Sequence, residues 1–352
     1  MKTMKKLLLL TLSVIFFISC SSDDGNQPEP GPPGTYENGI LITNEGPFVN
    51  GTGTVSFIPE DFSDVKQEIY RTVNGKDLGN IVQSMGFHND NAYIVVNNSQ
   101  KIEIVNRYSF ESLDSITTGI EYPRYFVSNN ALTGYVSNWG DPNDNNDDFI
   151  AVIDLRDNDV ATTIPVSFGP DKMVFENGNL YVAHPGGFGQ NNLISVISGN
   201  SLQTTITVGD VPNAMVSKDG ILYVLCGGNP QFTGNETPGS LVKIDLSNNQ
   251  IIETLTFGDE EHPSGLTEEA GNLFYNLNGK VYKLAASSNT LPGTPIVDGF
   301  FYAIEANEGK LFATDAGDFI SNGKLLVFDL ATNQEIQNIT VGIIPGGIYF
   351  ND

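Results

Sequence analysis

One strand-like pattern, seen as Leu-Tyr-Val at residues 180–182, occurs in seven copies along this sequence and restricts the fold more than any other feature. The copies lie at residues 40–44, 92–96, 134–138, 180–184, 222–226, 273–276 and 311–315. A repeat of about 40 to 50 residues is the period of β-propeller blades. The 352 residues are therefore expected to form mainly one repeat domain rather than two unrelated ones.

The runs that flank each copy predict four strands per repeat. A third strand follows every copy, a fourth follows most of them, and a first strand precedes copies two to seven. The first copy lacks a preceding strand, whereas residues 344–350 resemble a first strand with no blade after it. Pairing that last strand with the first blade would close the ring and remove two exposed sheet edges. The sequence thus predicts an all-β, seven-bladed propeller with four-stranded blades over residues 37–352.

Composition agrees with this fold and excludes some partners. The 37 glycines fit a chain in which many turns separate short strands. There are 42 Asp and Glu residues against 17 Lys and Arg, a formal charge of −25. Nucleic acids and anionic lipid surfaces are bound through Lys and Arg, so neither is expected as a main partner.

The N-terminus is typical of an export signal. Lys2, Lys5 and Lys6 precede an apolar run at residues 7–18 that is too short to span a membrane. Ser19-Cys20 ends that run and resembles a bacterial lipobox. The resemblance implies a signal peptide at residues 1–19, cleavage before Cys20, and acylation of this cysteine, so that the protein meets the membrane only through a lipid anchor. The alternative is an ordinary secretory signal with a chance cysteine.

The segment after the cysteine predicts a tether at residues 20–36. Residues 21–24 (SSDD), with two acidic residues, resemble the surface-export signal of Bacteroidetes lipoproteins, although a plain solvated linker has the same composition. Residues 25–35 are rich in Pro and Gly and should be semi-extended. We expect an outer-membrane, lipid-anchored protein exposed at the cell surface. Cys226 is the other cysteine and is expected to be a small buried apolar residue.

Three stretches resemble the YVTN-type propeller repeats of bacterial surface and periplasmic proteins. They are residues 135–138 (YVSN), 151–155 (AVIDL) and 205–212 (TITVGDVP), and the resemblance covers nearly all of residues 39–352. Together with the lipobox, the chain resembles the propeller lipoproteins of the Bacteroidetes surface. One branch of these captures cobalamin beside a TonB-dependent outer-membrane transporter. No motif in this sequence singles out that branch.

The loops between second and third strands are the long ones, and each carries one aromatic residue. These residues are Phe48, Trp139, Phe188, Phe232 and Phe319. In a propeller such loops surround one mouth of the central channel, where long loops on a rigid scaffold commonly bind ligands. We expect the aromatic rings either to stack on a flat ligand or to tuck their loops against the blades.

Polar residues are predicted at the same mouth. Second strands end at Asn44, Asn138, His184, Cys226 and Asp315, which would either cap open backbone groups or form a polar floor for a ligand. Inner strands begin near Arg124, Asp171, Asn213 and His262. Arg124 could pair with an acidic loop or bind a phosphate or carboxylate of a ligand.

The sequence gives weak signals for metal binding and none for a catalytic residue. Asp141, Asp144, Asp147 and Asp148 form an oxygen-rich segment that suits Ca²⁺, but they lack the glycine and final glutamate of an EF-hand. A solvated loop is the alternative. The three histidines do not have metal-ligand spacing, and no nucleophile-elbow, Walker or dinucleotide motif occurs.

These features support three hypotheses. The first is a surface lipoprotein that binds a small-molecule nutrient, such as cobalamin or another corrinoid, for a TonB-dependent transporter. The second is a Ca²⁺-dependent hydrolase, similar to propeller lactonases, that uses the channel mouth. The third is a surface scaffold that binds other proteins, since one fold hosts many functions.

Overall fold

The computed structural model describes residues 34–49, 51–129 and 131–352. Cys20, the predicted signal peptide and residues 20–33 of the predicted tether lie outside the described residues. Within the described part, no helix has the length and hydrophobicity needed to cross a membrane.

Seven small antiparallel sheets are arranged as the blades of a propeller, which confirms the predicted fold. Blades 1 to 3 contain β1 (Gly39–Asn44), β2 (Thr54–Pro59), β3 (Val82–His88), β4 (Asn91–Val96), β5 (Lys101–Asn106), β6 (Ser112–Ile116), β7 (Pro123–Ser128), β8 (Thr133–Asn138), β9 (Phe149–Asp154) and β10 (Asp159–Pro165). Blades 4 and 5 contain β11 (Met173–Glu176), β12 (Asn179–His184), β13 (Leu193–Ser198), β14 (Ser201–Thr207), β15 (Pro212–Lys218), β16 (Ile221–Cys226), β17 (Ser240–Asp245) and β18 (Gln250–Thr256). Blades 6 and 7 contain β19 (Ser264–Glu269), β20 (Asn272–Asn276), β21 (Lys280–Ala285), β22 (Val297–Asp298), β23 (Ala303–Asn307), β24 (Lys310–Asp315), β25 (Asn322–Asp329) and β26 (Gln334–Ile343), and the last strand is β27 (Pro345–Asn351).

Burial on both faces explains the repeated apolar pattern. In β12, Tyr181 and Ala183 pack with side chains of blade 5, whereas Leu180 and Val182 pack with side chains of blade 3. A strand in the middle of a blade therefore has no solvated face, and it needs a nearly continuous apolar run rather than strict alternation. Cys226 has the same environment on β16, and burial raises its pKa to about 12, so it is a buried apolar residue as predicted.

The last strand closes the ring. β27 pairs antiparallel with β1, with Ile348 opposite Ile42, so blade 1 combines two N-terminal strands with one C-terminal strand. Asn351 is fully buried, and its amide donates to the backbone oxygens of Tyr36 (2.5 Å) and Arg107 (2.9 Å). The predicted closure is thereby confirmed, with the two ends of the domain joined by both ladder and side-chain hydrogen bonds.

The outer edge of blade 1 departs from the other blades. Its fourth strand is reduced to a single bridge between Phe57 and Lys66, and the helix α1 (Ile69–Asn74) follows. The Tyr70 hydroxyl of this helix donates to Glu103 of blade 2 at 2.5 Å. Burial acts to raise the pKa of Glu103, but hydrogen bonds from Ser112, Tyr70 and Lys101 outweigh it and lower the pKa to about 2. The helix thus covers the sheet edge and ties blade 1 to blade 2 through a charged group.

Replacing Asn351 with Ala should destabilise the domain by on the order of 3 kcal/mol, because buried partners lose their hydrogen bonds. Urea unfolding followed by tryptophan fluorescence would measure the change. Asn338→Ala is the matched control, since Asn338 is an exposed asparagine of β26 that bonds only to nearby Glu335. Equal stability of the two variants would contradict a role for Asn351 in ring closure.

Candidate functional site

A cavity of about 440 Å³ opens at one mouth of the central channel. The inner strands of all seven blades contribute to its wall, through Tyr349, Met85, Tyr125, Met173, Met215, Leu266 and Ile304 among others. Its volume falls within the range of small-molecule pockets. The residues at the starts of these strands add charged and amide groups at the rim, so the cavity combines an apolar wall with a polar entrance.

Arg124 lies at the rim and is held by three neighbours. Its Nε donates to Asp171 Oδ1 at 2.9 Å, and another guanidinium nitrogen donates to Gln83. The guanidinium stacks 3.9 Å from the centre of the Trp139 ring, and the indole N–H donates to the Pro170 carbonyl at 2.9 Å. The predicted pairing of Arg124 with an acidic group is therefore present, and Trp139 fixes the position of the arginine.

Glu45 provides an acceptor beside this ion pair. It is only 6% exposed, and the Tyr302 hydroxyl donates to its Oε1 at 3.0 Å. Burial raises the pKa of the Glu45 carboxyl, against the opposing effects of the Tyr302 hydrogen bond and the Arg124 charge. The rim thus contains a carboxyl group, that of Glu45, whose charged form is disfavoured by desolvation.

Other polar groups in the wall lack full protein partners. The Lys172 ammonium lines the cavity and has no hydrogen bond or ion pair to any described residue. Burial of Glu305 raises the pKa of its carboxyl, and the positive charge of Lys172 opposes this effect. Glu305 accepts from the Thr267 hydroxyl at 2.8 Å. Asn213 donates to the Pro263 carbonyl at 2.9 Å, but its own Oδ1 is buried without a partner among the described residues. Lys172 can donate to a ligand and Asn213 can accept from one.

The predicted aromatic residues fall into two groups. Four are exposed at their loops, with exposed fractions of 71% for Phe48, 63% for Phe188, 85% for Phe232 and 52% for Phe319. Trp139 is instead half-buried between Arg124 and Phe188, whose ring centre lies 5.4 Å from its own. The Phe319 ring contacts Tyr302 at 5.8 Å. Two aromatic pairs therefore extend from the channel rim onto the loops.

The residues at second-strand ends organise backbone instead of lining the cavity. Asn138 is fully buried; its Oδ1 accepts from Glu121 N at 2.9 Å, and its amide donates to the Val136 carbonyl. Asp315 accepts from Gly317 N at 2.8 Å. A ligand in the channel cavity would not contact these side chains, which perform the capping role that was the alternative expectation.

The two histidines of the predicted site are also engaged by protein groups. His184 is fully buried with Nε2 2.9 Å from Ser195 Oγ, and burial lowers its pKa to about 4, so the ring is neutral. His262 faces the Gly227 carbonyl (2.8 Å, from Nδ1) and Glu236 (3.1 Å, from Nε2). It ties the long loop at residues 227–240 to the start of β19.

Two carboxylates of the acidic loop accept from backbone N–H groups, one within the loop and one in the segment that leads into blade 4. Asp147 accepts from Asp141 N at 2.9 Å, and Asp148 accepts from Gly169 N at 2.7 Å. Burial, with the charges of Asp147 and Asp144, raises the pKa of Asp148 to about 6. In the described ranges no three His, Cys, Asp or Glu side chains converge as metal ligands. Calcium binding by Asp141, Asp144, Asp147 and Asp148 stays a prediction.

Sequence reasoning missed most of the channel wall. Glu45, Lys172, Tyr302 and Glu305 belong to or adjoin inner strands, yet they share no residue type that a repeat search would detect. A signal did exist in the alternation of inner strands, since Met85, Met173 and Met215 occupy similar places in three blades. Aligning those strands first would have predicted which positions face the channel.

Comparisons with known proteins support the fold. The sequence matches a family model described as a domain of unknown function, DUF5074, over residues 38–342. No curated protein matches the chain. The periplasmic gluconolactonase PpgL of Pseudomonas aeruginosa is similar, with a TM-score of 0.63 at 13% identity over 89% of this chain and 99% of that one. At this identity the likeness shows the fold alone.

Two further solved structures have the same kind of similarity. BamB from Moraxella catarrhalis has a TM-score of 0.55 at 12% identity, covering 88% of this chain and 85% of that one. Apo AztD from Citrobacter koseri has a TM-score of 0.53 at 9% identity, covering 88% and 96%. A shared propeller among such different proteins leaves function to be argued from the site.

Replacing Asp171 with Asn should lower the free energy of unfolding by on the order of 2 kcal/mol, because it leaves the mostly buried Arg124 without a compensating charge. Urea unfolding would measure this. Asp154→Asn removes the partner of Arg156 in an exposed pair and should have little effect. If both variants unfold at the same urea concentration, the Arg124–Asp171 pair does not organise the rim.

Proposed function

Because the chain belongs to the DUF5074 family, a domain of unknown function, we propose its function from the channel itself: it is a binding protein that holds a small polar nutrient at the channel mouth. The observation that carries the proposal is the cavity of about 440 Å³ to which every blade contributes. A site built from seven rigid strands is preorganised, so binding costs little ordering of the protein.

The wall groups define the chemistry of the ligand. Lys172 offers an ammonium that lies 6.0 Å from the centre of the Tyr125 ring and has no hydrogen bond to a described residue, and Asn213 offers a buried carbonyl oxygen. Glu45 adds an acceptor beside the compensated Arg124–Asp171 pair. A ligand with both carbonyl or phosphate acceptors and amide or hydroxyl donors would satisfy all of them. A strongly anionic ligand is disfavoured by the −25 charge of the chain.

A corrinoid, such as cobalamin, is the nutrient that we propose to test first. The corrin ring is broader than the ring of a simple monocyclic ligand, so it would lie over the mouth of the channel, against the exposed Phe188 and Phe319. Its amide side chains would reach down to Lys172 and Asn213. Support for this choice comes from the sequence resemblance to Bacteroidetes propeller lipoproteins. Phe48, Phe232 and His262 remain candidates for further contacts on the loops.

The proposed setting is the outer surface of the outer membrane. A lipid on Cys20 would anchor the protein, and the Pro- and Gly-rich segment after it would give the propeller reach. A TonB-dependent transporter in the same membrane would receive the ligand. This setting is supported by the sequence signals at residues 1–24, and the channel chemistry does not depend on it.

Lys172→Met should weaken the binding of cyanocobalamin at least tenfold, because it removes the ammonium from the wall while keeping most of the apolar stem. Titration calorimetry on the purified protein would measure the affinity. Lys283→Met is the control, since Lys283 is exposed on β21 away from the cavity.

Three results would contradict this proposal. Binding that is equally strong in the two lysine variants would place the ligand outside the channel. A melting temperature that rises with Ca²⁺ alone, and with none of cyanocobalamin, haem or oligosaccharides, would argue against nutrient capture. Hydrolysis of a lactone that is lost on chelation and restored by Ca²⁺ would favour the enzyme hypothesis.

Cys20→Ser should abolish incorporation of labelled fatty acid in growing cells, because the acylated sulfur is missing. Cys226→Ser is the control and should retain the label, since Cys226 is buried on β16. Protease treatment of intact cells would then test surface exposure of the anchored protein. Label that persists in Cys20→Ser would overturn the lipoprotein assignment.

A further inference from the structure

A second pocket of about 200 Å³ lies beside the channel mouth, between blade 6 and the segment that leads into blade 7. His262, Ser264, Asn276, Asn278, Phe300 and Phe301 are among its lining residues. Ser264 also lines the channel cavity, so the two spaces are neighbours. Their chemistry differs, because the channel wall contains several charged groups and this side pocket presents mainly amide, hydroxyl and aromatic groups.

Asn276 has an unsatisfied group in the side pocket. It lies at the end of β20 and is only 7% exposed. Its amide nitrogen donates to the Phe301 carbonyl at 3.4 Å, whereas its Oδ1 is buried without a partner among the described residues. A buried carbonyl oxygen with no donor is destabilising, because it has lost its hydrogen bonds to water. A ligand that brings an O–H or N–H group to this oxygen would replace one of them.

Phe300 supplies an exposed aromatic surface at the same pocket. The side chain is 85% exposed, so its burial cannot explain its presence. Its ring rests against Gly279, whose φ is +71°, and a Cβ at that position would lie 2.8 Å from the ring. Glycine at 279 thus permits both the left-handed turn and the close approach of the ring. One face of the Phe300 ring therefore lies on the Gly279 backbone, and the rest of the ring is open to a ligand.

Neither ring nitrogen of His262 is free to form a hydrogen bond with a ligand. Both of its ring nitrogens already face protein oxygens, those of Gly227 and Glu236. The remaining polar groups at the pocket are the Ser264 hydroxyl and the Asn278 amide, both on exposed residues. The pocket consequently offers one aromatic face, one buried acceptor and rim groups that can exchange hydrogen bonds with hydroxyls.

We propose that this side pocket binds an uncharged sugar ring. The C–H face of a pyranose would pack on Phe300, and one of its hydroxyls would donate to Asn276 Oδ1, with further hydroxyls reaching Ser264 and Asn278. The volume holds a single ring. An acidic sugar would be repelled by Glu236 and by the net charge of the chain. This site is separate from the channel and does not rest on the nutrient proposed there.

Saturation-transfer NMR on the full-length protein would test the proposal with methyl β-D-glucopyranoside, methyl β-D-galactopyranoside and methyl α-D-mannopyranoside as probes. At least one glycoside should bind, and glucuronate should bind at least tenfold more weakly than the neutral glucoside. Phe300→Ala should weaken binding of that glycoside at least tenfold. Phe232→Ala is the matched control, because Phe232 is also 85% exposed and lies on a loop outside the pocket.

Asn276→Ala provides a second variant and should also weaken binding at least tenfold, with circular dichroism confirming that the sheet is intact. Lys172→Met should leave glycoside binding unchanged, which separates this site from the channel. The proposal is overturned if none of the three glycosides binds, or if Phe300→Ala and Phe232→Ala bind equally well. Binding of nicotinamide, a planar amide, in place of the glycosides would also overturn the assignment to sugars.

Discussion

The pairing of β27 with β1 is the interaction on which the rest of the structure depends. Without it, blade 1 would lack an inner strand and the ring would have two open sheet edges. The same strand supplies Tyr349 to the channel wall, where the tyrosine hydroxyl accepts from Met85 N of blade 2 at 2.8 Å. Closing the ring and completing the cavity are therefore one event, since a single strand contributes to both.

The polar groups of the channel also join neighbouring blades. Arg124 of blade 3 binds Asp171 at the entry to blade 4 and Gln83 of blade 2. Tyr302 at the entry to blade 7 binds Glu45, which follows β1 in blade 1. Because these bonds cross between sheets, they hold neighbouring blades together at the rim of the channel. The ligand contacts that we propose are made by groups with unused hydrogen-bonding capacity among the described residues, such as the Asn213 carbonyl oxygen.

The two proposed sites differ in which part of the fold positions their ligand-binding groups. In the channel, Lys172 and Asn213 point into a space that the whole ring creates. In the side pocket, Asn276 and Phe300 depend on a local arrangement in which Gly279 allows an aromatic ring to lie on the backbone. A protein of this kind could hold a charged or amide-rich ligand and a sugar at adjacent places. The shared residue Ser264 marks where the two would meet.

The sequence by itself determined the architecture, because the period of about 40 to 50 residues and the trailing strand leave few ways to bury every blade on both faces. It also placed Phe48, Phe188, Phe232 and Phe319 on long loops but left open whether their rings tuck against the blades, and the structure shows that they are exposed. Tertiary structure decided which polar residues face the channel. Asn138 and His184 turn inward to the blades, whereas Glu45 and Lys172 face the cavity, and neighbouring residues in one strand point to opposite sides. The direction of a side chain at a strand end depends on the next blade, and that contact is absent from any local pattern.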